Sequence, residues 1–189
     1  MATGQVLFLR YAISWGMKVT DLRSLVCVCL FLACKVIEKP IALNAICKAY
    51  FRLNREEQMR KNPKLQIPPL SRTMRAKLRD RFISLESDVL CTLNFDVEVD
   101  LPYTIINNFK EELARNAKWP THDIEPFMRA AYSYCNDSFM TTASLIKPAE
   151  EIAIACLALA ARYYNINLDL PPVDAEVFEM INGLYNVSN

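Results

Sequence analysis

Cys29-Leu30-Phe31-Leu32-Ala33-Cys34-Lys35 and Cys156-Leu157-Ala158-Leu159-Ala160-Ala161-Arg162 are close to the same apolar run, and each ends on a cation. Self-similarity at a long offset points to one helical unit used twice. A cation that closes a buried-looking run is uncommon, since Lys and Arg are rarely buried without a partner. The chain therefore reads as two related helical bundles, with a charge placed at the end of each central helix.

Outward from these runs almost every segment has helical spacing. Thr20 and Asp21 are N-cap types ahead of a helix over 22–38, which Pro40 stops. Helices are expected over 4–15 and 41–53. A loop carrying Pro63, Pro68 and Pro69 is expected over 54–71. Ser71 can cap a long helix over 72–93. Asp100 and Pro102 open the second half, with helices over 102–115, 123–141, 148–163 and 174–185. Pro148 sits at a helix start, with Glu150 and Glu151 in the first turn where the helix dipole favours them. The boundary lies near residues 96–101, which gives domains 1–98 and 99–189.

Composition narrows the function. The chain has 189 residues, is 52% hydrophobic and contains three glycines, so it can build real cores but few Gly-rich loops. A net charge of +1 gives no chain-wide nucleic-acid signature. No apolar run of about 18 residues suggests a membrane span, and residues 1–10 do not read as a signal peptide. The seven cysteines include no C-x-x-C pair, and His122 is the single histidine. Zinc sites need Cys and His at short spacing. The thiols therefore read as small hydrophobes in a reducing compartment. There Asn136-Asp137-Ser138 and Asn186-Val187-Ser188 are chance sequons. No nucleophile, acid–base pair or phosphate loop emerges. His122 reads as a helix-start residue, and no catalytic residue, cofactor or metal is expected.

Charge is uneven. Residues 52–81 hold ten Lys/Arg and three Asp/Glu, leaving 12 and 18 for the rest of the chain. Such a patch can meet phosphate groups, or it is simply a solvated face; beyond Phe51 and Phe82 it lacks interleaved aromatics. Lys35 lies between Ala33 and Val36-Ile37. Glu86, Leu90 and Leu93 share a helical stripe. From residue types alone two readings stay open: an internal Lys35–Glu86 salt bridge, or an embedded charge pair offered to a partner.

At these residues the chain resembles a cyclin. Leu30 to Pro40 is similar to the third-helix signature of a first cyclin box. Leu85-Glu86-Ser87-Asp88-Val89-Leu90-Cys91-Thr92-Leu93-Asn94-Phe95-Asp96-Val97 is similar to its fifth helix and exit. Asn136-Asp137-Ser138, Thr141-Thr142 and Ile152 to Arg162 resemble the second box of the transcription-associated K, L and T types. The resemblance implies an all-α chain of two cyclin-box-like repeats, 1–98 and 99–189. The basic insertion 54–71 resembles the long loop of L-type cyclins. It implies a non-enzymatic regulatory subunit that binds and activates a cyclin-dependent serine/threonine kinase of the transcriptional branch, acting in RNA polymerase II regulation. Lys35 and Glu86 would hold the kinase, with Val36, Leu90 and Val97 as apolar contacts. The expected setting is the nucleus, with the cytoplasm as the other reducing compartment; neither membrane nor nucleic acid is an expected partner.

Three departures from the family pattern stand out. Ile37-Glu38 replaces two acidic residues. The family's first helix would lie before residue 4, so the first repeat is expected to lack it and to expose an apolar face, whether as a truncated chain or as an abbreviated form of the family. Residues 163–173 are too few for a full fourth helix in the second repeat. The alternatives are a nucleic-acid-binding factor of the general transcription factor IIB type and a non-activating scaffold. The IIB type would carry a zinc ribbon and a strongly basic second repeat, and neither is in the sequence.

Overall fold

The computed structural model describes residues 1–14, 21–115 and 121–186. Among these, the regular elements are nine helices and no strand, so the all-α expectation is met. The chain divides into two compact units, Thr3–Glu98 and Val99–Asn189.

The first unit contains α1 (Ala2–Ser14), α2 (Leu22–Val36), α3 (Leu43–Lys61) and α4 (Arg72–Thr92). Helices α2, α3 and α4 pack against one another. Leu25, Val28, Cys29, Phe31, Leu32 and Ala33 bury the inner face of α2. Gly4 lets α1 approach closely, since a Cβ there would meet Leu30 Cδ2 at 3.0 Å. Phe82 of α4 is buried, with its ring edge-on to Tyr50 of α3 at 5.3 Å. Part of the outer face of α2 is not covered by any described residue. Leu22 and Val26 stay 53% and 40% exposed, and with Cys27, Tyr50 and Leu53 they line a groove of about 550 Å³.

Asp21 is the N-cap of α2. Its Oδ1 accepts the Ser24 backbone N–H at 3.1 Å. Its Oδ2 accepts the Ser24 and Tyr50 hydroxyls at 2.7 and 3.0 Å, and also pairs with Arg81. Burial opposes ionisation of this carboxyl, but the Ser24 and Tyr50 hydrogen bonds and the Arg81 charge outweigh it and hold its pKa below the usual value. A carboxyl shifted down stabilises the fold above its unfolded pKa, near 4, and loses that contribution as pH falls through the folded value. Asn also caps helices but does not titrate. Asp21→Asn is therefore expected to destabilise at pH 7 and to close on the native protein as pH falls below about 4. Urea midpoints of the two proteins at pH 7 and pH 3 check this; a gap that stays constant would show that the ionised carboxyl contributes nothing.

The second unit contains α5 (Tyr103–Arg115), α6 (Thr121–Ser138), α7 (Ala143–Ile146), α8 (Ala149–Tyr163) and α9 (Ala175–Asn186). Helix α8 is its hub and packs on the other four. Ile152, Ala153, Ala155, Cys156, Leu157, Leu159, Ala160 and Ala161 are buried, so α8 is buried nearly all round. The small side chains allow this close packing on several sides.

The repeated run has a structural counterpart. Three residues after Lys35, Glu38 adopts φ 56°; three after Arg162, Asn165 adopts φ 53°. The bonds Lys39 N–H to Cys34 O at 2.9 Å and Ile166 N–H to Ala161 O at 2.8 Å close both helices with the same left-handed turn. Each terminal cation lies over a ring, Lys35 on Phe31 at 4.4 Å and Arg162 on Phe178 at 6.0 Å.

Three boundaries differ from the sequence reading. The loop expected over 54–71 is helical to Lys61, so only 62–71 is irregular. Residues 52–61 are good helix formers with the i,i+4 pairs Arg52–Glu56 and Glu57–Lys61, and no breaker precedes Asn62-Pro63. The helix expected over 123–141 ends at Ser138, and the short α7 follows. Thr141 accounts for the break: its hydroxyl donates to Ser138 O at 2.7 Å and accepts from Ala143 N–H at 3.2 Å. Helix α2 ends at Val36 through the left-handed Glu38, ahead of Pro40.

Candidate functional site

Lys35 sits in the last turn of α2, and Glu86 in the second half of α4. The packing of these two helices brings Lys35 Nζ to 2.5 Å from Glu86 Oε1. The two ends differ in exposure: the Lys35 side chain is 45% exposed and that of Glu86 12%. Leu90 follows Glu86 by one turn and is half-buried, as are Val36 and Val97. Arg10 anchors the stretch that carries Val97, donating to Glu98 O at 3.0 Å and lying 3.8 Å from Asp96.

Lys35 is the only hydrogen-bond partner of Glu86 among the described residues. An ionised carboxylate has about four acceptor sites, and a charge drawn out of water is costly unless those sites are filled. The pair thus has unused acceptor capacity on Glu86 and unused donor capacity on Lys35, framed by apolar side chains. Such a site suits polar backbone groups of another chain.

Phe95 lies on the same exit from α4 and is absent from the sequence-based set. It is 67% exposed and adopts φ 59°, directly after Asn94 at φ 51°. The bonds Asn94 N–H to Cys91 O at 3.1 Å and Phe95 N–H to Leu90 O at 2.8 Å hold this turn. A positive φ on a bulky residue is strained, and a ring left in water adds to the cost. Asn94, a good left-handed residue one turn after Leu90, was the available signal. Ile37 and Ile83 are also exposed, at the end of α2 and on α4.

Elsewhere the chemistry is quiet. Burial pushes the Cys29 thiol up to about 12, and burial also raises Cys47 and Cys27. Among the described residues no cluster of three His, Cys, Asp or Glu could hold a metal. The side chain of His122 lies outside the described residues. No described helix is long and apolar enough to cross a membrane.

No protein-family model matches the chain. Individual relatives do. Cyclin-L2 of Mus musculus is 31% identical over 174 residues, covering 91% of this chain and 31% of the relative. The cyclin L homolog cyl-1 of Caenorhabditis elegans is 28% identical over 186 residues, covering 94% of this chain and 38% of the relative. The chain is similar to cyclins over about nine-tenths of its length. It spans about a third of the length of these curated cyclins. Its fold matches a chain in the crystal structure of the yeast RNA Pol II CTD kinase CTDK-1 complex, with TM-score 0.75 and 18% identity. That match covers 99% of this chain and 58% of the other.

Proposed function

We propose that this chain is a cyclin, a regulatory, non-catalytic subunit that binds and activates a cyclin-dependent serine/threonine kinase of the transcriptional branch, in the nucleus. One observation carries the reading: the Lys35–Glu86 pair stands in an apolar frame with its hydrogen-bonding capacity only partly used. Units 1–98 and 99–189 serve as the two cyclin-box-like repeats, in line with the shared helix endings after Lys35 and Arg162. Lys35 and Glu86 take polar groups of the kinase loop and C-helix, and Val36, Leu90, Val97 and the exposed Phe95 cover the apolar flank. Fixing the C-helix sets its Glu against the ATP-binding Lys, which phosphoryl transfer requires. The branch follows from the L-type relatives and from the CTD kinase named for the structural neighbour.

Co-purification of the chain with candidate kinases, followed by an activity assay, tests this. Recovery of an active kinase is expected. A bound but inactive kinase would favour the scaffold reading, and no kinase at all would overturn the proposal. Deleting residues 63–69, inside the irregular segment and away from Lys35 in sequence, is expected to leave kinase affinity within about threefold, as for surface changes remote from an interface. A complete loss of affinity would mean that the interface lies at the segment instead.

A further inference from the structure

Helices α3 and α4 carry more positive charge than the fold uses. Lys48, Arg52 and Arg55 recur at i, i+4 and i+7 on α3; Arg72, Arg75 and Arg79 recur at i, i+3 and i+7 on α4. Each set therefore forms one stripe along its helix. Helix α4 packs against α3, with Arg75 and Arg79 near enough to the buried Cys47 of α3 for their charges to act on its thiol. Of the six cations, Arg52 pairs with Glu56 at 3.8 Å. The other five make no ion pair with any described residue. Two of them, Arg55 and Arg75, have an Nε–H shielded from solvent with no acceptor among the described residues. Unanswered guanidinium donors of this kind call for an anion with several acceptor oxygens.

We propose that the α3–α4 pair is a docking surface for a multiply phosphorylated polypeptide segment. Five of the six stripe cations are arginines, whose planar fork matches phosphate with two parallel hydrogen bonds. A phosphoserine carries nearly two negative charges and three acceptor oxygens. Each stripe spans about 10 Å along its helix axis, so its cations stand about 5 Å apart. An extended peptide phosphorylated at every second residue spaces its phosphates by about 6–7 Å, which suits that ladder. The exposed apolar side chains next to the stripes in sequence are aliphatic, namely Leu53, Met59 and Met74. Neither stripe has a fully exposed ring: Tyr50 and Phe51, within the span of the α3 stripe, are half-buried, and no Phe, Tyr or Trp lies within 72–79. Single-stranded nucleic acid relies on such rings for base stacking, whereas methionine and leucine suit peptide side chains. This surface does not depend on the kinase reading, because it needs only this chain.

The test is fluorescence anisotropy with a synthetic peptide bearing three phosphoserines at two-residue spacing, its unphosphorylated form, and a single-stranded RNA of equal charge. The phosphorylated peptide is expected to bind at least about tenfold more tightly than the unphosphorylated one at about 0.15 M salt. Arg72→Gln with Arg79→Gln, and separately Lys48→Gln with Arg52→Gln, are each expected to weaken it about tenfold or more. Arg60→Gln with Lys77→Gln removes the same charge off the stripes and is expected to cost less than about threefold. Lys35→Ala is expected to leave peptide binding unchanged, which separates this surface from the kinase face. The Lys48/Arg52 variant alters only exposed side chains, so it decides the matter if the α4 variant misfolds. Equal binding of both peptides, equal losses on and off the stripes, or tighter binding of the RNA would each overturn the proposal.

Discussion

Lys35→Ala and Glu86→Ala are each expected to weaken binding of the proposed kinase partner by about 2–5 kcal/mol, the usual cost of truncating one member of a desolvated, hydrogen-bonded charge pair. That is about 30-fold to several thousand-fold in affinity. The fold is expected to feel the two changes unequally. Glu86→Ala releases an ammonium that is already 45% exposed, so unit 1 loses about 1 kcal/mol or less. Lys35→Ala leaves a carboxylate only 12% exposed with no other hydrogen-bond donor among the described residues, so it costs the fold more. Thermal unfolding of the free chain and titration against the kinase, corrected for folded fraction, separate the two quantities. If the pair merely satisfies its own charges, melting falls and corrected affinity stays. Full kinase activation by a well-folded double variant would remove the proposed mechanism.

The parts of the fold that were legible in the sequence are those governed by local chemistry. Asp21 and Ser71 read as N-caps and act as such, Ser71 accepting the Met74 N–H at 3.1 Å. The runs 29–35 and 156–162 read as central helices and carry buried side chains in both units. The meeting of Lys35 and Glu86 was open to inference because both charges interrupt apolar stripes, and a stripe must face something. What escaped had competing local signals. The highly charged stretch 54–61 looked like loop, yet its charges pair along the helix axis and prolong α3. The second half of α2 is buried, while Leu22 and Val26 of the same apolar run stay exposed; periodicity tells which side chains share a face, not whether a neighbouring helix covers it. Phe95 escaped because an aromatic next to Leu93 and Asn94 reads as core. Only the left-handed turn at Asn94 and Phe95 turns that ring out into water.

Phe82→Ala is expected to destabilise unit 1 by about 3–5 kcal/mol, the range for removing a fully buried aromatic ring. Phe82 is 1% exposed and lies on α4, which packs on both α2 and α3. Its ring meets Tyr50 edge-on at 5.3 Å. The Tyr50 hydroxyl in turn donates to Asp21, the N-cap of α2, at 3.0 Å. Removing the Phe82 ring therefore opens a cavity between the packed helices and frees the side chain that helps to hold the cap. The neighbouring Ile83 is 44% exposed, and Ile83→Ala is expected to cost about 0.5 kcal/mol or less. Phe82→Leu keeps most of the volume and should recover more than half of the loss. Urea unfolding followed at several wavelengths reads these differences. The cost should appear only in the transition of unit 1 if the two units unfold separately, and in a single shifted transition if they unfold together. A loss from Phe82→Ala no larger than that from Ile83→Ala would mean that the ring does not sit at the centre of the packing, and with it would fall the link from α4 through Tyr50 to the start of α2.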